Sequence, residues 1–159
     1  MTDRELLRHA VATLAYRAAK ATRGAPDGFA TFKAGPTSRT PVEVLAHMGD
    51  LFDWALSMAT GAPRWTTAEP KPWSAERERF FATLERFDDR LVSPEPLAYE
   101  VTRLFQGPVA DALTHTGQLT MLRRIYGAPV KGGSYNRADI AVGRVGAEQT
   151  PANPKYEFD

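Results

Sequence analysis

Apolar residues recur at helical spacing in four segments of this chain, and helix-start and helix-stop residues bound each of them. Two segments open with the capping-box pattern Thr-x-x-Glu, at Thr2 and at Thr40. Ser74 is placed to cap the third, and the fourth runs from Pro108 to Tyr126 with Gly127 as its C-cap. The predicted apolar faces are Leu7, Val11, Leu14 and Ala18; Val44, Leu51, Trp54 and Met58; Phe80, Leu84, Phe87 and Leu91; and Leu104, Leu122 and Tyr126.

Four amphipathic helices with connections of moderate length are typical of an antiparallel four-helix bundle, so we predict an all-α fold. A length of 159 residues suits one domain, with residues 1–127 forming the bundle and 128–159 an irregular tail. A short helical piece near 98–105 precedes a predicted break at Gln106-Gly107-Pro108. In the tail, Ile140, Val142 and Val145 are expected to hold an extended segment against the bundle.

Composition and charge exclude several classes of function. The chain has 20 basic and 19 acidic residues, and they are mixed along its length, so we expect no nucleic-acid partner. No apolar run approaches the roughly 20 residues that cross a bilayer, and the charged N-terminus lacks a signal-peptide core, so we expect a cytoplasmic protein with no membrane partner. Cysteine is absent, so any thiol chemistry must come from a cosubstrate.

Two helices place histidine on an inward-facing side. His47 lies three residues after Val44 and four before Leu51, so it points inward with the apolar face. Asp111 and His115 are four residues apart on the last helix, where Leu122 continues the same face. Each observation alone has a simpler interpretation: a core histidine bonded to backbone for His47, and a surface ion pair for the other two.

Together the three residues predict one divalent metal site. Two imidazoles and one carboxylate leave coordination positions open for water or substrate, which is typical of a catalytic site, and suit Zn²⁺, Ni²⁺, Fe²⁺ or Mn²⁺ alike. Asp50, one turn beyond His47, is a candidate to orient that imidazole or accept a proton, the alternative being simple solvation. Gln118 is a candidate to hold water or substrate, the alternative being an amide bonded to backbone.

These motifs resemble a known family. The segment LAHMGD at 45–50 resembles the second-helix histidine motif of the DinB/YfiT-like superfamily, and DALTHTGQ at 111–118 is similar to its last-helix pattern His-x-x-x-His-x-Gly-Gln. The resemblance covers residues 1–127 nearly completely, and the tail segment YNRADI at 135–140 resembles one uncharacterised branch. Members are four-helix bundles, often dimers, with a metal bound by three histidines. Asp111 stands where the family usually has histidine.

The resemblance implies an activity class and a homodimer. Its better-understood members are thiol-dependent enzymes: transferases that use bacillithiol or mycothiol, and a maleylpyruvate isomerase. We therefore expect a metal-dependent enzyme that joins a low-molecular-weight thiol cosubstrate to a small electrophilic substrate. Two alternatives stay open at this point. One is a metal-dependent hydrolase with Asp50 as base, and the other is a metal-free dimeric helical binding module.

Overall fold

The computed structural model describes residues 1–159, and the chain is mostly helical. Four long helices carry the fold, and the predicted helical class is confirmed at that level. The elements in chain order are α1 (Asp3–Thr22), α2 (Pro41–Ala59), α3 (Trp73–Val92), α4 (Val101–Leu104), α5 (Ala110–Tyr126), β1 (Gly132–Gly133) and β2 (Glu157–Phe158). None of these helices combines the length and the apolar character that crossing a bilayer requires.

The four long helices share one apolar core. α2 packs against α3 and α5, and α1 packs against the same two helices, so α1 and α2 lie diagonally across the core. A single cluster of 26 buried apolar residues draws on all four, which shows that the chain has one core. The predicted apolar faces supply much of it, and Phe52, Phe80 and Phe87 stack edge-to-face at its centre.

Helix boundaries follow the local signals in three places and depart from them in two. The capping boxes at Thr2 and Thr40 form, and Gly127 ends α5 with φ 89°, a conformation that glycine adopts without steric cost. Ser74 does not cap α3, which begins one residue earlier at Trp73 without a side-chain cap. The predicted break at Gln106-Gly107-Pro108 is also wrong, because a π-helical turn over Phe105–Val109 carries the helix past the proline and joins α4 to α5.

The tail after α5 is held at several points. β1 and β2 pair antiparallel, and Lys20 of α1 forms a 2.9 Å ion pair with Glu157 of β2. Val145 is buried in the core cluster and Ile140 packs against it, as expected. Val142 differs, because it lies in a turn closed by the Arg144 N–H and the Ala141 carbonyl, which leaves its side chain exposed.

Candidate metal centre

The packing of α2 against α5 brings His47, Asp111 and His115 together. His47 Nε2 lies 3.5 Å from Asp111 Oδ2, and His115 Nε2 lies 3.4 Å from Asp111 Oδ1. No two of the three ligand atoms are more than 4.8 Å apart. The predicted convergence is therefore confirmed, and the three residues form a cluster that could hold a metal ion.

The separations suit a small ion. Ligand atoms about 2.1 Å from a tetrahedral ion lie about 3.4 Å from one another, which matches both contacts to the carboxylate. A pair of ligand atoms 4.8 Å apart would have to approach by about 1.4 Å to reach this separation. The two contacts are longer than the hydrogen bonds that a histidine N–H normally makes to a carboxylate, so any direct hydrogen bond to Asp111 is weak.

The surroundings of His47 favour its neutral form. Burial lowers the pKa of His47 below its ordinary value, and the electrostatic influence of the neighbouring His115 and Arg39 lowers it further, while Asp111 opposes the shift. The Trp65 ring covers one side of the imidazole, with its centroid 5.5 Å away. A metal ligand must be unprotonated, so these surroundings prepare the imidazole for coordination at neutral pH.

Gln118 holds the second imidazole in position. Its Oε1 lies 2.8 Å from His115 Nδ1, so that Nδ1 carries the proton and donates it to the amide oxygen. This tautomer leaves Nε2, the atom that faces Asp111, with a free lone pair. Gln118 was predicted from the sequence as a site residue, but with water, substrate or backbone as the partner of its amide and not His115. Its spacing of three residues from His115 on a helix was the signal for this contact.

Asp50 lies outside the cluster. Its Oδ1 accepts a 3.0 Å bond from Arg79 Nη1 of α3, and its Oδ2 accepts one of 3.2 Å from the Ala68 N–H. It makes no hydrogen bond to His47, and its side chain is only 4 % exposed. Both interpretations from the sequence, orientation of His47 and simple solvation, therefore differ from what is observed. Asp50 is a buried partner of Arg79.

A cavity of about 540 Å³ opens beside the two histidines. Its other polar lining residues are Ser38, Arg39 and Gln118, and its apolar lining residues are Val44, Met121 and Leu122. Ser38 and Arg39 were not predicted, because they belong to the irregular connection before α2, where no periodicity indicates the direction of a side chain. The cluster thus lies next to a space large enough for a small organic molecule.

Comparisons of the chain with protein families, with curated proteins and with solved structures gave no match. The chemistry of the site therefore has to follow from its own side chains.

Proposed function

We propose that the chain is a metal-dependent enzyme of the DinB/YfiT-like type, an antiparallel four-helix bundle that joins a low-molecular-weight thiol to a small electrophile. The observation that carries the proposal is the convergence of His47 Nε2, His115 Nε2 and the Asp111 carboxylate beside a cavity of about 540 Å³. A three-residue ligand set with adjoining space is typical of an open, catalytic metal site. The proposed assembly is a homodimer.

The donor set determines the chemistry that such a site supports. When bound, a divalent ion lowers the pKa of a coordinated thiol enough for the thiolate to predominate at neutral pH. The chain has no cysteine, so the nucleophilic sulfur belongs to a cosubstrate. His47 and His115 present lone pairs from two different helices, and Gln118 fixes the tautomer of the second. Val44, Met121 and Leu122 give the cavity an apolar wall beside the two histidines.

The position of Asp50 argues against the competing hydrolytic mechanism. That mechanism needs a general base within hydrogen-bond reach of a water molecule at the cluster. Asp50, the residue predicted for this role, instead accepts hydrogen bonds from Arg79 and the Ala68 N–H. No observation therefore favours hydrolysis over thiol transfer.

The test begins with the metal content of protein purified without a histidine tag. We expect one divalent ion per chain, its loss in His115→Ala, and its retention in Asp111→His, which restores the ligand usual in the family. Turnover is then measured with a panel of thiols and chlorodinitrobenzene, with and without added metal ions. In this reaction the sulfur displaces chloride from the ring carbon, chloride leaves with the bonding electrons, and the thiol proton passes to the buffer.

Three results would contradict the proposal. Unchanged metal content in His115→Ala would place the ion elsewhere on the chain. Turnover of an ester or amide that needs the metal but no thiol would identify a hydrolase. Wild-type protein that binds no divalent ion under any loading condition would favour a helical binding module whose polar side chains are structural.

A further inference from the structure

The cavity beside the two histidines has a charge pattern that the proposed reaction does not explain. Apart from the histidines, its polar lining consists of a guanidinium, an amide and a hydroxyl; the Asp111 carboxylate contacts the two histidines but is not among the lining residues. Ser38 Oγ is engaged within its own loop, where it accepts from the Gly35 N–H and donates to the Gly35 carbonyl. The two groups left to meet a ligand are therefore Arg39 and Gln118.

Arg39 has no partner in the protein. It is exposed, it forms no ion pair, and its guanidinium donates no hydrogen bond. The acidic residue nearest in sequence is Glu43, whose Oε2 accepts from both the N–H and the hydroxyl of Thr40 as part of the α2 capping box. A guanidinium presents five N–H donors in a planar fork that matches a carboxylate, and all of them are available here.

Gln118 offers a second donor because of its bond to His115. Its Oε1 is fixed toward the His115 Nδ1–H, so its amide NH₂ group must point the other way. That group donates no hydrogen bond to the protein, and Gln118 is exposed along the cavity. The amide and the guanidinium thus supply donors only, and Val44, Met121 and Leu122 form an apolar wall beside them.

We propose that the molecule bound in this cavity carries a carboxylate, which Arg39 and the Gln118 amide bind, and an apolar segment, which packs against Val44, Met121 and Leu122. An anion satisfies two sets of donors that have no protein acceptor, whereas a cation or a neutral group would leave the guanidinium without a counter-charge. The reaction itself rests on the proposed function, but recognition of a carboxylate by the cavity does not. The carboxylate belongs either to the thiol or to the electrophile.

The test compares the affinity of charged and neutral probes by calorimetric titration. Mercaptoacetate is paired with mercaptoethanol as the thiol probe, and benzoate is paired with benzamide as the aromatic probe. Each pair is titrated into chelator-treated protein and into zinc-loaded protein. We expect at least one carboxylate probe to bind more tightly than its neutral partner, and the pair that shows this preference identifies which substrate carries the charge.

Arg39→Gln should lower the affinity for that carboxylate probe about tenfold or more, and change the affinity for the neutral probe less than about twofold. Lys33→Gln is the matched control, because it removes the same charge from the same connection at an exposed residue that does not line the cavity. It should change neither affinity more than about twofold, because Lys33 does not line the cavity and salt screens a charge that is not in contact with the probe.

The outcomes separate this inference from the proposed function. Equal affinity for both members of each pair, including binding too weak to measure for all four probes, would overturn the inference. An equal loss in Arg39→Gln and Lys33→Gln would also overturn it, because it would show a general electrostatic effect. If the wild-type protein binds no metal, the proposed function fails. The difference in affinity between charged and neutral probes on chelator-treated protein still decides whether the cavity binds a carboxylate.

Discussion

Arg79 compensates two carboxylates that are buried between α2 and α3. Its Nε donates to Glu76 Oε2 at 2.8 Å, and its Nη1 donates to Asp50 Oδ1 at 3.0 Å. The Glu76 side chain is 0 % exposed and that of Asp50 is 4 % exposed, so water can replace little of what Arg79 provides. Replacing Arg79 by methionine keeps the aliphatic stem but leaves two buried carboxylates without a cation.

We expect Arg79→Met to reduce the free energy of unfolding by about 3–5 kcal/mol, the cost of breaking a buried pair by removing one partner. The matched control is Arg86→Met on the same helix. Arg86 pairs with Asp53 at 2.8 Å, but the two side chains are 57 % and 48 % exposed, so its loss should cost less than about 1 kcal/mol. Urea unfolding at pH 7 measures both values, and an unchanged m-value shows that the unfolded state is comparable.

Removing the two carboxylates as well tests the cause. In the variant Arg79→Met/Asp50→Asn/Glu76→Gln no uncompensated charge is left, so the loss of stability relative to wild type should be smaller than in Arg79→Met alone. A loss that is the same in both variants would attribute it to packing of the Arg79 side chain. Equal, small losses in Arg79→Met and Arg86→Met would refute the reasoning, because burial would then make no difference to the ion pair.

Three further predictions concern the site and the tail. Gln118→Leu should weaken metal binding about tenfold or more, measured by competition with a chelator, because His115 Nδ1–H loses its acceptor. Because the pKa of His47 is lowered in the folded protein, the unfolded chain binds the proton more tightly, so metal-free protein should lose stability as the pH falls below about 6.5. Urea unfolding should show a smaller loss in His47→Gln. Within residues 132–150, amide exchange should be slowest around the buried Val145. Uniformly rapid exchange across the segment would contradict a packed tail.

Local sequence signals predicted the start of a helix well where a side chain caps a backbone N–H in the first turn of that helix. The capping boxes at Thr2 and Thr40 need only residues three apart, so sequence spacing contains all the information. Ser74 failed because the first turn of α3 is organised by a different residue. Glu76 Oε1 accepts from the Lys71 N–H ahead of the helix, while its Oε2 accepts from Arg79. A buried glutamate inside the first turn, bonded to residues on both sides of it in sequence, thus replaced the serine cap.

The break predicted at Gln106-Gly107-Pro108 was wrong for a related reason. Proline lacks an N–H and its ring crowds the preceding turn of an α-helix, so the sequence favours an interruption there. The wider π-helical turn over Phe105–Val109 accommodates the ring and keeps the chain helical, and it buries Pro108 and Val109. Burial of these two side chains favours a continuous helix over the interruption that proline prefers. The spacing of residues in the sequence does not indicate this burial.

The candidate site could be predicted only as far as each side chain follows the apolar face of its helix. His47 and His115 follow the inward faces of α2 and α5, and Asp111, whose side chain is 45 % exposed, lies at the edge of that face, so periodicity predicted that the three could meet once these helices pack together. Asp50 is one turn from His47, but a difference of three residues still rotates it by about 60° around the helix. That rotation turns it toward Arg79 on α3, a partner that the spacing on α2 cannot reveal.

Because of this rotation, α2 presents side chains to both α5 and α3 within a single helical turn. Its His47 side faces α5 and the candidate metal ligands there, and its Asp50 side faces α3. Arg79 links the two sides, because its Nη2 donates at 2.7 Å to the carbonyl of Ala46, which belongs to the peptide bond that leads into His47. The side chain that pairs with Asp50 and Glu76 therefore also bonds to the backbone next to a candidate ligand. It follows that Arg79→Met should weaken metal binding even in conditions where the variant is fully folded, although Arg79 contacts none of the three ligands.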